Sequence, residues 1–376
     1  MKETMTAEER LTAAISCRVP DRVPCAPLIE SYAARYVGIT NHRFMFDLDA
    51  AMDAFNEIHN DFPVWDCNRS IYFARYGPVS EKIGNTRVKM PGVELPPDAL
   101  YQFHEYEAMT RDDYDVILNE GFKVLLESFW HKVHGSSPED ITEAQAKRIV
   151  VWNREIEESK RRGHAFLYGS LSSLPSDTLS MMRSIQAFFK DLFQIPDKVE
   201  AALDIVTDFL IASHKKAIAS TGIKTAFIAG TRCSGQFLSK KNFERFTWPY
   251  LKKMVNELVD DGNIIYLHFD SNWTMNLEYL LDLPRGKVVL ECDSATDIFK
   301  VKEILHGHTC ILGDVPPAMM TVGSAPEIDD YCKKLFQVVG KDGGFIFSTG
   351  CTLPMNAKNE NVKAFFESVK KYGWYF

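Results

Sequence analysis

From residue 164 onward the chain alternates short apolar runs with longer stretches whose apolar residues recur at helical spacing. The runs at 165–169, 225–229, 264–268, 288–291, 309–313 and 345–348 predict strands. The stretches around them predict helices over about 183–193, 196–221, 239–259, 276–283, 294–305, 326–339 and 359–372. Upstream, Thr6 is placed to cap a helix with Glu8 and Glu9 in its first turn, and that helix should end before Pro20. A strand at 22–28 follows, its prolines tolerable near strand ends or on an edge, then a helix near 45–59 and a weaker strand at 62–66. The stretch 67–163 breaks the rhythm, predicting hairpin strands at 71–76 and 86–90 and helices at 111–128 and 141–161. A structureless loop of that length is uncommon in a compact domain, so this stretch is expected to hold its own small structure and overhang the rest.

The strands add up to eight, the closure number of a (β/α)8 barrel. A doubly wound open sheet competes, but no Gly-x-Gly-x-x-Gly turn follows the first strand. The expected fold class is therefore α/β: a single (β/α)8 TIM barrel over 1–376, with 67–163 inserted between its second and third strands.

In such a barrel the chemistry sits at the carboxyl ends of the strands. The fourth strand ends at Thr231-Arg232-Cys233, the fifth at His268-Phe269-Asp270, the sixth at Glu291-Cys292-Asp293, the seventh at Gly313-Asp314 and the eighth at Gly350-Cys351. Neighbouring strands lie about 4.8 Å apart, so these ends can converge. His268 and Asp270 stand two apart and face the same side in extended backbone, as do Glu291 and Asp293. An imidazole, carboxylates and a thiolate at one mouth suit Zn2+, which takes four ligands and keeps one place for substrate when catalytic. The expected metal ligands are His268, Asp270, Glu291 and Cys351. A strand-end histidine by itself is more often hydrogen-bonded than metal-bound, so the metal reading rests on the whole set. Arg232 can clamp a carboxylate or phosphate, or pair with Asp270 or Glu291. Tyr32, Trp65, Tyr168 and Trp273 can wall a flat substrate or simply pack. His131 and His134 have helical spacing but no third ligand nearby, and read as surface.

Net charge is -8, with Lys and Arg spread along the chain rather than blocked, which argues against nucleic acid and for a small polar or uncharged substrate. Met1 to Arg10 lack an apolar signal region and nowhere do about 18 apolar residues run together, so no membrane and a cytoplasmic location are expected. Eight scattered cysteines without a Cys-x-x-Cys pair should be reduced and mostly core, with Cys351 the exception.

Several stretches together resemble the uroporphyrinogen decarboxylase superfamily: Arg22-Val23-Pro24, Phe237-Leu238-Ser239 through Phe246-Thr247-Trp248-Pro249-Tyr250, His268-x-Asp270, Leu312-Gly313-Asp314-Val315-Pro316-Pro317, and Gly350-Cys351-Thr352-Leu353-Pro354 through Asn361-Val362-Lys363. The likeness is greater to the corrinoid-dependent methyltransferase branch. The decarboxylases carry an arginine-rich N-terminal motif for substrate carboxylates, whereas here Ala26-Pro27-Leu28-Ile29-Glu30-Ser31-Tyr32 holds no arginine. The methyltransferase branch binds zinc through a His-x-Cys pair and a later Cys, and this chain has His268, Asp270 and Cys351 there. Carboxylate in place of thiolate hardens the ligand set and favours an oxygen group over a thiol such as coenzyme M.

The resemblance implies transfer of a methyl group from a small methylated substrate, such as a methyl ether, to the Co(I) corrinoid (cobalamin) of a partner protein. Zn2+ held by His268, Cys351 and one or both of Asp270 and Glu291 would activate the leaving heteroatom, with Asp270, Glu291 and Arg232 the catalytic residues. The alternative is a metal-independent decarboxylase or lyase, in which Arg232 binds a substrate carboxylate and Asp270 or Asp293 stabilises a cation. A non-catalytic scaffold for a corrinoid protein is a third reading, disfavoured because polar groups clustered in a mouth are costly without partners. A homodimer is an open assembly, and the aromatic tail Trp374-Tyr375-Phe376 is available to dock.

Overall fold

The computed structural model describes residues 3–375. Six parallel strands run in sequence order: β3 (Ser170–Ser173), β4 (Thr225–Gly230), β5 (Ile264–Phe269), β6 (Val288–Cys292), β7 (Cys310–Val315) and β8 (Phe345–Thr349). A separate antiparallel pair, β1 (Arg87–Lys89) and β2 (Gln102–His104), lies in the stretch before them. β6, β7 and β8 are buried on both faces, which is why they read as apolar runs rather than alternations.

Two extended segments without a regular ladder close the ring. Phe347 N–H donates to Pro24 O at 2.8 Å and Ala26 N–H to Phe347 O at 2.9 Å, laying 22–28 beside β8. Asp66 N–H then reaches Cys25 O at 2.7 Å and Arg69 N–H reaches Pro27 O at 2.9 Å, and Ala165 N–H returns to Asp66 O at 2.9 Å. The eight segments follow the order expected for the barrel, but the first two are irregular for a physical reason. Pro24 and Pro27 have no N–H to give. Side chains take the neighbouring amides instead, Asp66 that of Cys25 at 2.7 Å and Asn68 that of Ile29 at 3.1 Å.

The third strand lies later than the expected 165–169. Gly169 gives its N–H to the Thr225 hydroxyl at 3.0 Å, and a Cβ there would stand 1.8 Å from Ile223 O, so the regular ladder starts only at Ser170. Within 67–163, the expected strand at 71–76 is helical, Tyr72–Arg75 followed by Gly77–Ser80. Packing overrides β propensity here: Phe73 stacks on Trp152 with centroids 4.1 Å apart, and its N–H reaches the Glu155 carboxylate at 2.8 Å. The partner of β1 is therefore the downstream β2. Gly121, at φ 93°, splits the expected 111–128 helix into Asp113–Glu120 and Phe122–His134. The helix Pro138–Arg161 starts earlier than expected because Ser137 and Asp140 form a capping box.

At the opposite end, the helix Ala7–Ile15 has a Thr6/Glu9 capping box and sends buried Arg10 to Asp21 and Asp66. Arg22 meets the same Asp66 at 2.7 Å, Trp374 bridges to Arg22, and the Tyr375 hydroxyl donates to Gly340 O at 2.6 Å. Trp374 and Tyr375 thus lie on their own chain, while Phe376 lies outside the described residues. No helix among the described residues is long and apolar enough to cross a membrane.

Candidate active site

β5 carries His268 to the barrel mouth and Asp270 just beyond it, and the loop after β8 carries Cys351. One ligand atom from each of these three lies within 4.8 Å of the others, and His268 Nε2 stands 3.3 Å from Asp270 Oδ1. His268 is buried, Asp270 and Cys351 half-buried. Metal–ligand bonds of about 2.0–2.3 Å put tetrahedral neighbours roughly 3.3–3.8 Å apart, so closing the set around zinc needs separations to shorten by about 1.5 Å at most. The donors also fit: one imidazole nitrogen, one carboxylate and one sulfur, with access from the mouth.

Glu291 stands elsewhere. It is the cross-strand partner of His268, and its Oε2 lies 2.9 Å from His268 Nδ1, behind the ring rather than in the cluster. The same oxygen is 2.6 Å from Arg69 Nη1, and Arg69 is anchored to Ala26 O and the Ser348 hydroxyl, both at 2.7 Å. The ligand position expected for Glu291 is therefore corrected: both neighbours hold its carboxylate away from Asp270 and Cys351. Burial pushes the Glu291 carboxyl up, but Arg69 and His268 outweigh it and bring it down to about 2. Burial opposes a charged imidazole at His268, yet the carboxylates of Glu291 and Asp270 hold its pKa well above the ordinary value.

Arg232 pairs with neither Asp270 nor Glu291. Its guanidinium meets Glu105 at 2.7 Å, a residue just after β2, while its own N–H donates to Asp177 at 2.8 Å. Asp293 is occupied by loop amides, accepting from Ser271 and Ala295 at 2.8 Å each. The aromatic residues serve packing. Trp273 stacks on Phe269 at 3.7 Å and donates from its indole to Asp270 O at 2.9 Å, steadying the loop that carries Asp270. Trp65 stacks on Phe366, Tyr168 is buried against Phe227, and the Tyr32 hydroxyl donates to Asn359 at 3.0 Å. His131 is exposed and His134 half-buried, away from the cluster.

Four residues near the cluster escaped the sequence reading: Glu30, Arg69, Arg75 and Tyr101. Glu30 is buried, and burial lifts its carboxyl above the usual range while Arg75 and His268 pull the other way. Arg69 and Glu30 lie just past the ends of the first two barrel segments, so the strand-end rule applied to 22–28 and 62–66 would have reached them. Arg75 and Tyr101 carried no such signal, because they come from the inserted stretch.

The family model described as Uroporphyrinogen decarboxylase (URO-D) matches residues 155–372, more than half of the chain. Among relatives, the "Methylcobamide:CoM methyltransferase MtbA" of Methanosarcina acetivorans is 27% identical over 189 residues, 50% of this chain and 53% of that protein. A uroporphyrinogen decarboxylase of Pseudoalteromonas atlantica is 27% identical over 187 residues, 49% of this chain and 51% of that protein. The match thus spans about half the length of these relatives. A solved structure, a methyltransferase from Methanosarcina mazei, superposes with a TM-score of 0.67 over 98% of this chain and 99% of that one, at 17% sequence identity, a likeness of fold. With the barrel order, the strand-end residues and this match in agreement, the chain belongs to the uroporphyrinogen decarboxylase (URO-D) family.

Proposed function

We propose that the chain is a methyltransferase that moves a methyl group from a small methylated substrate, such as a methyl ether, to the Co(I) corrinoid of a partner protein. The observation that carries this reading is the polarity of His268: Nδ1 faces Glu291, itself paired with Arg69, which leaves Nε2 on the side of Asp270 and Cys351. Relatives named "Methylcobamide:CoM methyltransferase MtbA" support the methyl-transfer part of this reading.

Zinc bound by His268, Asp270 and Cys351 would act as a Lewis acid on the leaving heteroatom, which is needed because an alkoxide or phenolate leaves poorly. The chain's own residues prepare that place. Glu291 stands 2.9 Å from Nδ1, where its charge favours a proton on that nitrogen and leaves Nε2 as the ligand atom, and Arg69 helps hold the Glu291 carboxyl low. The Phe269–Trp273 stack sets the direction of Asp270. A carboxylate among the ligands favours an oxygen leaving group over a thiol. In the decarboxylase alternative a substrate carboxylate would take Arg232 from its partly exposed pair with Glu105.

The test is methyl transfer to added Co(I) cobalamin, followed by the corrinoid spectrum, across methyl ethers, methylated amines and methylated thiols. Transfer from ethers is expected; silence across the whole panel, with carbon dioxide released from a carboxylated heterocycle, would move the assignment to the lyase.

A further inference from the structure

Asp270 is the first residue past β5, so its direction depends on the turn that follows as well as on the Phe269–Trp273 stack. The next residue, Ser271, has φ 70°, in the left-handed region. A residue other than glycine is unfavourable there and stays only where its surroundings enforce it. Every polar group of Ser271 is engaged by a neighbouring loop. Its N–H donates to Asp293 Oδ2 at 2.8 Å, its carbonyl accepts from the Thr296 hydroxyl at 3.2 Å, and its hydroxyl lies 2.9 Å from that of Ser234. The Thr296 hydroxyl also accepts from Trp273 N–H at 2.9 Å, which closes the turn.

Asp293 touches the other arm of the cluster too. A Cβ on Gly350 would stand 3.0 Å from the carbonyl carbon of Asp293 and 3.2 Å from its carbonyl oxygen, so the backbone just before Cys351 rests directly on the backbone of Asp293. Both sides of this contact are fixed. Asp293 Oδ1 accepts from Ala295 N–H at 2.8 Å, and Gly350 N–H donates to Val315 O at 2.9 Å. One residue at the end of β6 thus holds the turn after Asp270 with its side chain and seats the residue before Cys351 with its main chain, while its own carboxylate stays outside the three-residue cluster.

We propose that Asp293 is the positioning residue of the cluster: through Ser271 it aims the Asp270 carboxylate, and through Gly350 it seats Cys351, which sets the gap between the two. The metal part rests on the zinc reading of His268, Asp270 and Cys351; the aiming of Asp270 is tested without metal as well.

Zinc affinity of the full-length protein is measured by competition with a chelator. Asp293→Asn has a single acceptor oxygen and cannot serve both the Ser271 and the Ala295 amides as the carboxylate does. Its zinc affinity falls by about tenfold or more, the scale for a group that orients a ligand. Adding Ser271→Gly to Asp293→Asn recovers at least about threefold, because glycine takes a positive φ without help. As single changes, Ser271→Val loses at least about fivefold more affinity than Ser271→Gly; both lack the hydroxyl, and only valine resists the left-handed backbone. Gly350→Ala, whose methyl meets the Asp293 backbone, also weakens zinc by about tenfold, and an unchanged affinity there overturns the Cys351 half. Unchanged affinity in Asp293→Asn, no recovery in the double variant, or equal losses in the Val and Gly variants overturns the Asp270 half. If Asp293→Asn does not fold, the Val and Gly pair decides. Should the parent protein take up no zinc, the metal reading falls by itself, and crystal structures of the metal-free parent and Asp293→Asn decide the rest. Asp270 Oδ1 then leaves its place 3.3 Å from His268 Nε2 in the variant if Asp293 aims it, and an unmoved carboxylate overturns the proposal.

Discussion

Glu291 and His268 face each other across paired strands, with the carboxylate Oε2 2.9 Å from Nδ1 of the ring. Because Arg69 grips the same oxygen at 2.6 Å, the imidazole is held from behind by an anion that is itself held, and only Nε2 is left to face Asp270 and Cys351. Partners of this kind orient metal-binding histidines and raise their basicity.

Glu291→Gln removes that charge with little change of shape. Zinc affinity, measured by competition with a chelator, should fall by about 10- to 100-fold. Stability to denaturant should also fall, by about 3 kcal/mol, because Arg69 is left buried without its anion. Unchanged zinc affinity would mean that Glu291 does not act on the ring.

Metal content gives a second expectation. Protein purified without chelator should hold close to one zinc per chain, and both His268→Ala and Cys351→Ala should hold none. Loading with Co2+ separates the ligands further. Cys351→Ala should abolish the thiolate-to-cobalt charge-transfer band, and Asp270→Cys should strengthen it by adding a second thiolate. An Asp270→Cys spectrum identical to that of the parent would remove Asp270 from the ligand set.

The later strands and the residues at their ends were more legible in the sequence than the segments around them. Buried parallel strands are apolar runs, so β4 to β8 and the residues at their ends could be placed, and one side-chain donor atom each of His268, Asp270 and Cys351 lies within 4.8 Å of the others. What could not be read depends on contacts remote in the chain. Whether Glu291 faces a metal or the back of a ring is decided by Arg69, and Arg232 is taken by Glu105 from the inserted stretch. The segment around Phe73 has the aromatic content of a strand, and its stack on Trp152 and the bond from its N–H to Glu155 favour the helix. The first two barrel segments hide because proline and side-chain hydrogen bonds replace the ladder that periodicity detects.

The pair Arg232–Glu105 ties the loop after β2 to the rim of the barrel, with Glu105 also accepting from Ile185 N–H at 2.7 Å and Glu107 pairing with Arg183. The Arg232–Glu105 side chains are partly exposed, so the pair contributes only about 0–1 kcal/mol. Glu105→Gln should therefore leave global stability nearly unchanged but speed amide exchange in the segment around 102–108. No change in exchange would show that the segment is held by its other contacts.

Acid sensitivity follows from a different histidine. His214 lies on the helix Pro196–Thr221 against β3, its Nδ1 2.6 Å from the Ser170 hydroxyl and its Nε2 2.7 Å from that of Ser172. Burial brings its pKa down from 6.5 to about 4. Between those values the unfolded chain binds the proton and the folded one does not, so stability rises with pH across this window, is fully present above 6.5, and is lost as pH falls toward 4. The whole effect is about 3 kcal/mol. His164, brought down by burial to about 3, acts in the same direction. Denaturant unfolding from pH 7 to pH 4 should show this decline, and His214→Gln should flatten it while lowering stability at pH 7. An equally steep decline in the variant would assign the acid sensitivity to other groups.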